Sequence, residues 1–134
     1  MREPAQGGGT APETDLDVSL NCDNLSGMRA EISRLLAGTE QVLIQDVELV
    51  ATELASNACE HADDPRRLRL RRDAKELLIE VWDASPDQTP VVGRSSLGEH
   101  RGRGMVLVTK LCDDWGVRMD ADCKVVWGRM RLNR

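Results

Sequence analysis

The chain has 134 residues, 40% hydrophobic and 31% charged, which suits one globular domain and excludes collagen-like, mucin-like and wholly disordered chains. It has no Phe and no Tyr, only Trp82, Trp115 and Trp127, so the core must be aliphatic and the aromatic platforms of single-stranded nucleic-acid binders are missing. With 23 acidic against 18 basic residues the net charge is -5, which opposes a phosphate backbone; no direct nucleic-acid contact is expected.

No run approaches the roughly 20 apolar residues of a membrane helix, and the N-terminus lacks the charged-then-apolar plan of a signal peptide. No membrane partner and a cytoplasmic location are therefore expected. The four cysteines, Cys22, Cys59, Cys112 and Cys123, form no Cys-x-x-Cys pair. Their spacing argues against zinc and for free thiols.

Residues 1–14 are rich in Gly and Pro and poor in apolar side chains, so they read as a flexible tail ahead of a domain spanning 15–134. Leu16, Val18 and Leu20 alternate with polar residues, the pattern of a half-buried strand. Asp23 or Asn24 can cap the helix that follows, marked by Leu25, Met28, Ile32, Leu35 and Leu36 and closed by Gly38. A second, longer helix is predicted from about Ile44 to Ala62, with Val47, Val50, Ala51, Leu54, Ala58 and Ala62 on one stripe. Glu53 and Asn57 lie about 40° apart on the shoulder of that stripe, so they can point into one cleft.

Alternation resumes through Leu68 and Leu70, then Leu77, Ile79 and Val81, with a polar turn between, which predicts a hairpin. Asp83 ends its second strand. A long Pro-, Ser- and Gly-containing loop follows to Gly102, and Gly102 and Gly104 precede a helix expected over Met105 to Cys112. A last hairpin carries Val117, Met119, Val125 and Trp127, turning between Asp120 and Cys123. This order gives an α+β fold, a two-layer sandwich with helices on one face of a mixed, mostly antiparallel sheet.

Three distant segments carry chemistry suited to a nucleotide. The Asn57 carboxamide oxygen is a hard neutral ligand of the kind Mg²⁺ takes beside phosphate oxygens. Glu53, one turn earlier, can act as a general base. Asp83, acceptor-only when ionised, can take the exocyclic amine of adenine. Glycines ahead of a helix let backbone N–H groups approach phosphates.

The ordered set Glu53-Leu-x-x-Asn57-Ala, Val81-x-Asp83 followed by Ser-Pro, Gly102-Arg-Gly-Met105 and a terminal Lys124-x-Val-Trp127 resembles the ATP-binding domains of the Bergerat fold. Within that group it is most similar to the small bacterial anti-sigma-factor serine/threonine kinases. The resemblance covers about residues 16 to 132. It implies that Asn57 binds Mg²⁺, that Glu53 is the catalytic base and that Asp83 binds adenine. Gly102, Arg103, Gly104 and Met105 then belong to the glycine segment whose loop covers the triphosphate. It further implies ATP and Mg²⁺ as cofactors, a sigma factor and an anti-sigma-factor antagonist as partners, phosphorylation of the antagonist, and a homodimer. The alternative is a non-catalytic ATP-binding module that sequesters a transcription factor; Glu53 discriminates, since a pure binder needs no base there.

The chain departs from its relatives at two places. Asp83-Ala-Ser-Pro-Asp lacks the glycines of an Asp-x-Gly-x-Gly run, and Val125 stands where relatives often carry a hydroxyl that helps to hold adenine. Arg66, Arg67, Arg69, Arg71 and Arg72 read as the wet face of an exposed strand, where charge resists edge-to-edge pairing. His61, near a helix end, is expected to meet the terminal carbonyls rather than a ligand.

Overall fold

The aliphatic core is built from one stripe or one side of each element, and the side each element turns inward follows from its period. The computed structural model describes residues 13–84, 99–120 and 122–132. In chain order these form β1 (Glu13–Ser19), α1 (Leu25–Leu35), α2 (Gln41–His61), β2 (Arg67–Arg72), β3 (Glu76–Asp83), α3 (Glu99–Leu111), β4 (Asp114–Asp120) and β5 (Cys123–Arg131). The strands make a five-stranded sheet in the order β1-β2-β3-β5-β4. Every pairing is antiparallel, so the mixed component expected from the sequence is not present among the described residues. Of the expected tail, residues 1–12 lie outside the described residues, and Glu13 and Thr14 stand in β1.

Asn24 is the cap of α1: its Oδ1 accepts the Gly27 N–H at 3.0 Å and so satisfies one backbone donor that the first turn leaves open. Gly38 sits at φ +93°, a left-handed conformation that costs glycine little, and it turns the chain from α1 into α2. Helix α2 starts at Gln41, ahead of the expected Ile44, and Leu43 and Ile44 are both buried. Val47, Val50, Ala51, Leu54, Ala58 and Ala62 all lie in the core, as their spacing requires.

Leu68, Leu70, Leu77, Ile79 and Val81 are fully buried on the sheet face that the helices cover. There β5 comes close to its helices: a Cβ on Gly128 would stand 2.8 Å from Cys112 Sγ and 3.6 Å from Val50 Cγ1. Both predicted hairpins form. The arrangement that the local patterns do not encode is the docking of β5 on β3, in the register Asp83↔Lys124, Val81↔Val126 and Ile79↔Gly128.

Two expectations are corrected by tertiary contacts. Strand β2 is not an edge strand, because β1 pairs on one side and β3 on the other. Its alternate arginines, Arg67, Arg69 and Arg71, lie on the helix-free face, where Arg67 Nε donates to Asp17 Oδ1 at 2.8 Å, and Arg69 of β2 and Arg118 of β4 stack 5.0 Å and 5.3 Å from the Trp82 ring. The thiols are not all free either. Cys22 and Cys59 form a disulfide joining the segment before α1 to the last turns of α2, while Cys112 and Cys123 remain reduced. No pattern of spacing could reveal that pair, since it depends on how the segment before α1 lies against the end of α2.

Candidate functional site

Helix α2 supplies Glu53 and Asn57 from the edge of its buried stripe. Both are half-buried, because Leu54 and Ala58 beside them are driven into the core and rotate the flank only partly away from it. Asn57 reaches across to α3: its Nδ2 lies 3.4 Å from Met105 Sδ. Met105 is 1% exposed, so its thioether is a floor that holds the carboxamide by its nitrogen and turns the harder oxygen, Oδ1, to the other side. The α2 motif and the residue that follows the glycine segment therefore meet directly.

The glycines themselves sit differently from the expectation. Helix α3 begins at Glu99, so Gly102 and Gly104 lie inside its first turns and not ahead of it. Two glycines cost a helix only about 1 kcal/mol each, and Glu99, Arg101 and Arg103 are good helix formers that offset part of this. The side chains of residues 99–104, Arg103 included, and the loop 85–98 expected to cover a triphosphate lie outside the described residues.

Asp83 ends β3 on the helix side of the sheet. It is 2% exposed, and Lys124, opposite it on β5 and 4% exposed, places Nζ 3.6 Å from Asp83 Oδ2. The next residue ties this corner to α2, since Ala84 N–H donates to Asp63 O at 3.2 Å just beyond the helix end. Val125 is on the opposite face, paired with Trp82, and so it does not stand beside Asp83. The residue aligned with Asp83 is Lys124, and successive strand residues must point to opposite faces. By the same rule Trp82, adjacent to Asp83 in sequence, belongs to the helix-free face.

One arginine of the run has a different place from the one expected. Arg66 stands outside β2, and its guanidinium closes the C-terminal end of α2. Nε donates to Ala58 O at 3.1 Å, Nη2 to Ala62 O at 2.5 Å and Nη1 to Asp64 Oδ1 at 2.7 Å. A cation at the last carbonyls is favoured by the helix dipole, and the position of Arg66 directly after Asp63-Asp64-Pro65, close to the helix end, was the available signal. It anchors the turn that carries Asn57.

No cluster of three or more His, Cys, Asp or Glu suited to a metal occurs among the described residues. A cleft of about 410 Å³ lined by Asp73, Lys75, Glu76, Arg129 and Arg131 lies at the other end of β3 and β5, away from Asp83 and Asn57.

The described residues thus give an antiparallel sheet backed by helices, a carboxamide and a carboxylate on one flank of the longest helix, and a buried aspartate at the end of β3. The family model for the histidine kinase-like ATPase domain matches residues 18–130, so the chain belongs to that family and is a kinase-like, ATP-binding module. The match spans all the elements that build the site. A search of curated proteins finds no match to the chain. No helix among the described residues is long and apolar enough to cross a membrane.

Proposed function

We propose that this domain is a serine/threonine protein kinase of the anti-sigma-factor type, which binds Mg²⁺·ATP, sequesters a sigma factor and phosphorylates a hydroxyl of an antagonist protein. The observation that carries the reading is the contact of Asn57 with Met105, which brings the helix α2 motif against the glycine-bearing start of α3. In this reading the Oδ1 atom of Asn57 holds Mg²⁺ against the phosphates, Asp83 accepts the adenine amine, and Glu53 takes the proton from the incoming hydroxyl. The chemistry of Asn57 fits such an ion: a hard, neutral carboxamide oxygen suits a cation that keeps waters and takes phosphate oxygens. Bound Mg²⁺ supplies charge neutralisation on the triphosphate; the chain's own contribution is positioning, which the loose transition state of phosphoryl transfer chiefly needs.

Calorimetric titration with ATP, with and without Mg²⁺, tests the premise, and labelled ATP with the antagonist tests the transfer. Glu53→Ala is expected to keep nucleotide binding and lower transfer about 10²- to 10⁴-fold, the usual worth of a positioned base. Asn57→Ala is expected to remove the Mg²⁺ dependence of binding. Metal-dependent binding by the wild type without transfer to any antagonist would leave a non-catalytic regulator that sequesters a transcription factor. No binding at all would end the proposal.

A further inference from the structure

Asp83 does not face its site alone. Three polar or charged side chains are buried among the described residues: Glu80, Asp83 and Lys124. Glu80 belongs to the helix-free face and meets Arg71 and Arg118 there. The other two form one pair, Lys124 Nζ to Asp83 Oδ2 at 3.6 Å, on the helix side and at the end of the sheet where β3 is tied to the turn after α2. Fully buried lysine is rare, and a buried ion pair in a core is commonly replaceable by apolar residues without loss of stability. The neighbouring strand positions on this face are aliphatic, Val81 and Val126, so an apolar pair would continue the core. A lysine in this place needs a reason other than packing.

We propose that Lys124 is a second base-recognition residue, acting with Asp83 on the purine edge. This rests on the ATP-binding reading and extends it. The Watson–Crick edge of adenine presents a donor, the 6-amino group, beside an acceptor, N1. Asp83 is an acceptor and Lys124 a donor with three N–H bonds, so the side-by-side pair complements that edge in order. A lone carboxylate reads the amine only. The edge of guanine carries the reverse order, an acceptor at position 6 and a donor at N1, and it meets like groups at both positions. Lys124 thus takes over the contact that the hydroxyl expected at Val125 would have made through water. It stands on the face where Val125 does not.

The test uses the whole chain and 1-deaza-ATP, which replaces the N1 acceptor with C–H and leaves the amine. The wild type is expected to bind 1-deaza-ATP about ten- to a hundredfold more weakly than ATP, the range for a hydrogen bond from a charged donor. Lys124→Met, similar in length and without the donor, is expected to lose affinity for ATP by a comparable factor and to bind ATP and 1-deaza-ATP equally. The wild-type comparison needs no variant and stands if the substitution disturbs folding. Equal binding of the two nucleotides by the wild type overturns the role of Lys124 while leaving ATP binding intact. A Lys124→Met protein that still prefers ATP by the wild-type factor overturns it too. Failure of the wild type to bind either nucleotide overturns the ATP reading and this inference together.

Discussion

Strand β3 buries a carboxylate on each side of the sheet, and the two are held in different ways. Glu80, 0% exposed on the helix-free face, has Arg118 Nη1 at 3.3 Å and Arg71 Nη1 at 3.6 Å, both from partly exposed side chains. Asp83, 2% exposed on the helix side, faces a buried lysine at the end of the strand. The first meets arginines of β2 and β4 on the helix-free face, so its ion pairs tie three strands together. The second sits where β3 meets the turn after α2, and the lysine that faces it is itself buried. The two buried carboxylates of β3 thus differ in the face they occupy and in the exposure of their partners, and the proposed function assigns the nucleotide to Asp83 alone.

The same contrast extends to the faces as wholes. The helix side is held by aliphatic packing, and Ile79→Ala, emptying a fully buried position, is expected to cost about 2–5 kcal/mol in urea unfolding. A value below 1 kcal/mol would mean that the helices do not press on β3 as described. The Cys22–Cys59 bond braces that side further, closing a loop across a sequence separation of 37. Its reduction by dithiothreitol is expected to lower stability by about 2–4 kcal/mol. An unchanged midpoint would show that packing alone holds α2.

Glu80→Gln probes the other face. Its arginine partners can turn to solvent, so the expected loss is about 1–3 kcal/mol with nucleotide affinity unchanged. Asp83→Asn, which takes the counter-charge from the buried Lys124, is expected to cost about 3–5 kcal/mol in unfolding and, unlike Glu80→Gln, to weaken ATP binding at least about tenfold by calorimetry. If Glu80→Gln impaired binding as much as Asp83→Asn, the distinction between the two carboxylates would fail.

The smallest effect is expected in acid. Burial raises the Asp17 carboxyl, but the hydrogen bond and charge of Arg67, with Arg69 beside it, outweigh this and hold it below the ordinary aspartate value of 3.8. Because the folded-state value is depressed, its contribution is present above pH 3.8 and disappears as pH falls through the lower folded value. Asp17→Asn should therefore flatten the acid limb of a stability-versus-pH curve below about pH 4 and leave the neutral region nearly parallel to wild type.

Much of this molecule was legible before any coordinates. The period of Leu68, Leu70, Leu77, Ile79 and Val81 marks strands, and that of Val47, Val50, Ala51, Leu54 and Ala58 marks a helix, because burial selects one side of each element and writes it into the order of residues. The same geometry put Glu53 and Asn57 on one flank. What the linear order left open were relations between elements. The pairing of β5 with β3 sets Lys124, not Val125, opposite Asp83; the folding of the chain after α2 turns Arg66 from a member of an arginine run into the cap of that helix. The disulfide and the interior place of β2 are of the same kind. Local periodicity reflects whether a side chain is inside or outside. Which neighbour it meets there depends on strand order and register, and these are decided by the packing of the whole chain.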